Sequence, residues 1–283
     1  MILAVLLALT QVRTYGAPVP FLTLNDPRVN ESSGVAPSLT SKSDYFTHND
    51  SGDGPRFFRF DVQGVKAVYT LQGITAIDWE DMATAPVGGG KWVYLGDIGD
   101  NLRVRAHVLV HRVAEPKALG DQTLTTFETY TITYPGGAAN AECLMVRPGV
   151  GDLYIVTKVD TGLSKVFKVP KPPGTGTYAA QLLGTIQVDT TPKGSTSSSA
   201  NRLVTGGAIS PDGRWVVLRT LRGALEFRAP VNFDQWPTVA PNRVPLASEV
   251  QGEAITYDLA GQHLVTTSEG SPCPVSRGSV SGG

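Results

Sequence analysis

Three glutamates, Glu80, Glu142 and Glu253, each stand at the head of a short apolar segment: Glu80-Asp-Met-Ala83, Glu142-Cys-Leu-Met-Val146 and Glu253-Ala-Ile-Thr-Tyr257. Ser33 holds a similar place in Glu31-Ser-Ser-Gly-Val-Ala36. Carboxylates repeated at one structural position converge when their segments are gathered around a common axis. They then repel one another, so either some keep their protons or a cation neutralises them. Oxygen donors of this kind suit calcium, and no His/Cys cluster with zinc-type spacing occurs in the sequence. Ser33, Glu80, Glu142 and Glu253 are therefore the expected calcium ligands. The competing reading pairs each glutamate with a base or uses it to cap a strand end.

A second set of polar residues falls at the ends of the next segments along. His48-Asn-Asp-Ser-Gly-Asp53 and Gly96-Asp-Ile-Gly-Asp-Asn101 are denser in acid and amide than ordinary turns need, and Lys158 and Arg219 hold corresponding places further on. In a hydrolase, Lys158 and Arg219 would bind an anionic group, while Asp50, Asp97, Asp100 or the calcium would activate water. His48 would donate a proton to the leaving group, since a free imidazole titrates near pH ~6.5. The plainer alternative is that these acids satisfy local backbone amides in turns. The sequence has neither a Gly-x-Ser-x-Gly elbow nor a P-loop.

The elements that would position these residues recur five times. Each unit opens with a segment holding one of the acidic or small polar residues: Glu31–Ala36, Trp79–Ala83, Ala141–Val146, Gly206–Ser210 and Gly252–Tyr257. A turn such as Pro211-Asp-Gly213 leads to a more apolar segment: Asp44–His48, Lys91–Leu95, Asp152–Thr157, Arg214–Leu218 or Gln262–Thr266. A third strand follows, and a fourth bridges to the next unit, as in Thr129–Tyr134. Four antiparallel strands per unit, repeated, predict an all-β propeller with a central channel. The units are roughly 45–65 residues long, which implies large loops. Five blades are expected, and six if Gly174–Asn201 holds a degenerate one. The last unit lacks its outer strand, so Val19–Leu24 is expected to complete it and close the ring, hiding both edges. Thr190–Asn201, rich in Ser and Thr, reads as a mobile surface loop in blade four.

Composition narrows the partners. Of the 283 residues 17% are charged and the formal net charge is −1, with no basic stripe, so nucleic acid is not an expected partner. Met1–Leu9 is apolar but too short to span a bilayer, and small residues follow at Gly16 and Ala17. Residues 1–17 are expected to form a secretory signal peptide cleaved near Ala17, leaving 18–283 as one secreted domain without a membrane span. The alternative is that this run is a buried first strand. Cys143 and Cys273 should lie in non-adjacent blades and stay unpaired. Asn30-Glu-Ser32 and Asn49-Asp-Ser51 match the N-glycosylation pattern but overlap the repeat motifs.

Glu31-Ser-Ser-Gly34, His48-Asn-Asp-Ser-Gly52, Asp78-Trp-Glu-Asp81, Gly96-Asp-Ile-Gly-Asp-Asn101 and Gln251-Gly-Glu-Ala-Ile-Thr256 together resemble secreted bacterial propeller proteins of unassigned activity. More distantly the chain looks like the five-bladed calcium-activated nucleotidases, or apyrases. That resemblance implies a central calcium held by Ser and Glu residues from the inner strands, here Ser33, Glu80, Glu142 and Glu253. Blade four departs, because Gly206-Gly207 stands where that pattern places a serine. The nucleotide-binding residues of that family do not map onto this chain. Phytase-like and gluconolactonase-like calcium propellers are further candidates for kinship. Two functions follow as expectations. One is a calcium-dependent hydrolase of phosphorylated or other anionic small substrates. The other is a non-catalytic extracellular module, with a structural calcium, that binds a glycan or a protein.

Overall fold

Runs of β-branched and aromatic residues, broken by glycine turns, favour short strands over helices. At Pro211-Asp-Gly213, for example, Gly213 takes a positive φ of 69°, which lets the chain reverse between two strands of blade four. The computed structural model describes residues 13–282, whose strands fall into five sheets. The inner strands are Ser32–Pro37, Trp79–Val87, Ala141–Val146, Val204–Ile209 and Gly252–Tyr257. Each packs on the next, and the fifth packs on the first, which closes a five-bladed β-propeller.

Stability resides between the blades. An apolar cluster fills every seam: Phe46 and Phe57 meet Trp79 and Val93 between blades one and two. Tyr94 and Ile132 meet Leu144 and Phe167 in the next seam. Val156 and Val166 face Leu218 and Trp236 in the third, and Trp215 faces Tyr257 in the fourth. Phe58 and Val35 pack on Val265 and Cys273 where the ring closes. Cys143 and Cys273 are buried in different seams and both are free, as the blade assignment requires.

Val19–Leu24 pairs antiparallel with Cys273–Ser281, Val19 opposite Arg277 and Leu24 opposite Cys273, so the N-terminal strand completes the last blade as expected. The apolar run Met1–Leu9 lies outside the described residues. Closer to the expected cleavage point, Thr14–Tyr15 pairs with Val280–Ser281 at the far end of the same strand. Arg13 is buried and forms an ion pair of 2.7 Å with Glu226 of blade four. The seam between blades four and five thus draws on residues upstream of Ala17.

The six-blade alternative fails for a specific reason. Gly176–Ala179 joins the outer edge of blade two, running parallel to Tyr130–Thr133, and Gln181–Gln187 is the outer strand of blade three. Gln122–Leu124 likewise crosses to the outer edge of blade one. These short strands staple neighbouring blades together. The Ser/Thr-rich stretch is a connection from blade three to blade four rather than an insertion within blade four. Its base is tied, since the Thr190 N–H donates to the Asn201 carbonyl at 2.9 Å. Among the described residues no helix is long and apolar enough to cross a membrane.

Candidate metal centre at the channel mouth

All five inner strands slip by one residue at the same step. Pairing with the second strand skips Ser33, Glu80, Glu142, Thr205 and Glu253 in turn. Each is the extra residue of a β-bulge, a device that re-aims a side chain out of the regular alternation. The bulges therefore place five equivalent residues at one level of the channel. In blade four the equivalent position is Thr205, a hydroxyl residue, and not the Gly206-Gly207 pair expected there. The hydroxyls tie neighbouring strands: Ser33 donates to the Glu80 carbonyl at 2.6 Å and Thr205 to the Gly252 carbonyl at 3.1 Å.

The three glutamates of this ring are buried, at 3%, 3% and 6% exposure for Glu80, Glu142 and Glu253. Burial pushes the Glu253 carboxyl up to about 8, with the Glu142 charge adding to it. Burial also raises Glu142, to about 7, against the pull of Lys158, whose ammonium lies 2.5 Å from it. Glu80 is held well above the usual carboxylate range by burial and then by Glu142, Asp50 and Asp78. No hydrogen bond or ion pair reaches the Glu80 carboxylate among the described residues.

Beside Glu80, the carboxylate oxygens of Asp50, Asp78 and Glu80 lie within 4.8 Å of one another. Asp78 is raised to about 6 by burial and by the charge of Asp50. Gly99 makes the approach possible: a Cβ there would stand 2.3 Å from Glu80 Oε1 and 2.4 Å from Asp78 Oδ2. A cradle that only glycine leaves open, lined by clustered carboxylates that lack base partners, fits a hard divalent cation such as calcium. Gly99→Ala is therefore expected to weaken calcium binding roughly tenfold or more, a change of about 1.4 kcal/mol. Isothermal titration checks this, and unchanged affinity would remove Gly99 from the site.

The other residues expected at the mouth have different roles. Asp97 is fully buried, pairs with Arg105 at 2.8 Å, and accepts the N–H groups of Ile77 and Asp78 at 3.0 and 3.2 Å. It positions the Asp78 backbone and does not face the channel as a free base. Asp100 caps its own loop, accepting from the N–H groups of Val104 and Arg105, both at 2.9 Å. Arg105 also donates to the Gly99 carbonyl at 2.7 Å, so this loop as a whole sets the cradle.

His48 is sealed between blades one and two. Its Nδ1–H donates to the Asn49 carbonyl at 2.8 Å, its ring stands edge-on to Trp79, and burial pulls its pKa down. A neutral imidazole with no exposure cannot serve a leaving group at the mouth. Arg219 is equally enclosed, at 1% exposure, bound to Glu249 and donating to the Ala254 carbonyl at 2.9 Å. Its place in a bulged strand pair turns it into the seam between blades four and five. Lys158 does reach the ring, but as the partner of Glu142 rather than as a free base. Asn49 is buried and hydrogen-bonded through its side chain, which leaves no room for a glycan there.

Sequence reasoning missed three functional positions. Thr205 was hidden by the glycines beside it. Asp78 precedes Trp79 on a loop and meets Asp50 only through the fold. Asp81 is fully buried on the inner strand and accepts N–H groups from Met82 at 2.8 Å, Leu144 at 2.9 Å and Gly207 at 3.3 Å. It binds the inner strands of blades two, three and four together, plugging the channel.

No protein-family model matches the sequence, and no curated protein matches it. Among solved structures, a gluconolactonase from Xanthomonas campestris is similar with a TM-score of 0.48 and 13% identity, over 96% of this chain and 99% of that one. A protein from Bacteroides uniformis, provisionally named a 6-phosphogluconolactonase, is similar with a TM-score of 0.41 and 12% identity, over 83% of this chain. The match spans 64% of the length of the Bacteroides protein. Likeness at this level assigns no activity.

Proposed function

We propose that the protein is a secreted calcium-binding propeller that hydrolyses a small anionic substrate at the mouth of its channel. The observation that carries the reading is the approach of Asp50, Asp78 and Glu80 within 4.8 Å around the Gly99 cradle. When bound there, calcium would neutralise the cluster and act as a Lewis acid on a carbonyl or phosphoryl oxygen of the substrate. Asp50, half-buried at the rim, accepts the proton of the attacking water. The anionic group rests in a cleft of about 290 Å³ between blades two and three, lined by Arg103, Asn140, Thr157 and Lys165. Neither Arg103 nor Lys165 is in an ion pair among the described residues, so both are free to bind an anion. The cleft adjoins the ring, since Thr157 precedes Lys158 and Asn140 lies two residues before Glu142.

A second reading, a non-catalytic extracellular module with a structural calcium, draws on a different observation. Lys158 and Arg219 are both engaged by glutamates, and His48 is sealed from the mouth. Assays with and without calcium on lactones, phosphate esters and phosphoanhydrides separate the two. On the hydrolase reading Asp78→Asn loses calcium binding and roughly 100-fold or more in turnover. Arg103→Ala raises KM about tenfold with kcat little changed. No turnover on any class, with calcium binding intact in the wild type, leaves the module. Absence of calcium binding overturns both.

A further inference from the structure

We infer that Lys158 is the resident cation of the carboxylate ring and limits the mouth to one divalent ion, held off the axis at Asp50, Asp78 and Glu80. The inference rests on the cation site proposed above and concerns how many ions the ring takes and where.

The five bulge residues supply three carboxylates, from Glu80, Glu142 and Glu253, and two hydroxyls. Left alone, three buried carboxylates at one level would attract a cation to the axis between them. Lys158 alters that balance from inside the ring. It follows directly after Thr157, the end of the second strand of blade three, and its backbone N–H donates to the Asn140 carbonyl at 3.1 Å. That anchor sends the side chain back over the inner strand of its own blade, where the ammonium meets Glu142 at 2.5 Å. The contact is largely screened from water, with side-chain exposures of 21% and 4%.

The ammonium thus occupies the Glu142 side of the ring as its ion-pair partner. A divalent ion on the axis would sit beside that ammonium and compete with it for Glu142, so like-charge repulsion disfavours it. Glu80 is placed differently. Its carboxylate is buried, carries no hydrogen bond or ion pair among the described residues, and points with Asp78 into the Gly99 cradle. One ion is therefore drawn to the Glu80 side, and Lys158 covers the Glu142 side.

Calcium titration calorimetry on the full protein tests this through stoichiometry, which needs no substrate. Wild type is expected to bind one calcium and Asp78→Asn none. Lys158→Met frees Glu142 and removes the positive charge from the ring, and is expected to bind two ions, or one at least about tenfold more tightly. Lys158→Met combined with Asp78→Asn is expected to keep one. Lys158→Gln removes the charge while retaining an N–H for Glu142, and should behave like Lys158→Met if the larger change impairs folding. One ion in both charge-removal variants with less than a tenfold gain overturns the inference and leaves the proposed site standing. A wild type that binds none while Lys158→Met binds one overturns the proposed site and supports the role of Lys158. No binding by any variant overturns both.

Discussion

Replacing Arg13 by glutamine is expected to lower the melting temperature by about 10 °C, because it breaks a buried ion pair in the seam between blades four and five. Glu226 is fully buried, and Arg13 is its one cation among the described residues, 2.7 Å away. The Tyr15 and Tyr257 hydroxyls both donate to the same carboxylate, at 2.5 Å each. The Arg13 guanidinium also lies over the Trp215 ring, 4.4 Å from its centre. Removing one partner of such a pair leaves an uncompensated buried charge, which costs roughly 3–5 kcal/mol. A chain beginning at Pro18 loses Arg13 and Tyr15 together and should melt lower still. Arg13→Gln combined with Glu226→Gln should recover much of the loss, because neither charge then remains. Differential scanning calorimetry of the four proteins decides the matter, and a single-variant shift within about 2 °C would show that the pair does not hold the seam. N-terminal sequencing of the protein expressed from its full sequence then shows whether it is processed near Ala17, which would remove Arg13 and Tyr15 from this seam.

The propeller was legible because its signal is redundant. Five inner segments and five apolar second strands repeat, and a missing last strand matched a spare one at Val19–Leu24. The blade-crossing strands were not legible. Gln122–Leu124 and Gly176–Ala179 are short, and their partners in neighbouring blades are chosen by tertiary packing. The ring of acids showed through the shared glutamates, yet its register did not. A bulge inserts one residue into a pattern of period two, so alternation counted along the chain puts Gly206 or Gly207 where Thr205 stands.

The mouth residues were misread for a related reason. His48, Asp97 and Arg219 lie at strand ends where position in sequence cannot distinguish the channel from the seam between blades. Burial decides it, and all three turn inward to fixed partners. Asp50 and Asp78 illustrate the converse. They are separated by a whole strand pair in sequence, and only the packing of blade one on blade two brings their carboxylates together with Glu80.

In the presence of a chelator, stability is expected to fall as pH rises from about 6 to 8.5, and calcium is expected to lessen that fall without abolishing it, because its site at Asp50, Asp78 and Glu80 does not include Glu253. Glu253 carries the sign. Its carboxyl titrates at about 8 in the folded protein, against an ordinary value near 4.5, because burial penalises the charged form. Between those values the folded state holds a proton that the unfolded state has released. Stability contributed by that proton is complete below the unfolded value and is lost as pH climbs through the folded one. Glu142 acts in the same direction with a smaller excursion, since Lys158 offsets part of its burial. His111 works in reverse. Burial holds its pKa down at about 4, so its contribution is complete above about 6.5 and is lost on acidification through about 4. Together they place the optimum of the chelated protein on the weakly acidic side of neutrality. Calcium binds carboxylates in their ionised form, so it displaces protons and its affinity should grow with pH. At a hundredfold excess over Kd it adds roughly 2.7 kcal/mol, and the rise in Tm it produces should be larger at pH 8 than at pH 5.5. Urea titrations across this range, with and without calcium, provide the measurement. Chelated stability that rises between pH 6 and 8.5 would mean that the ring glutamates are ionised and paired in the native state, and the argument for a cation at their side would lose its electrostatic basis.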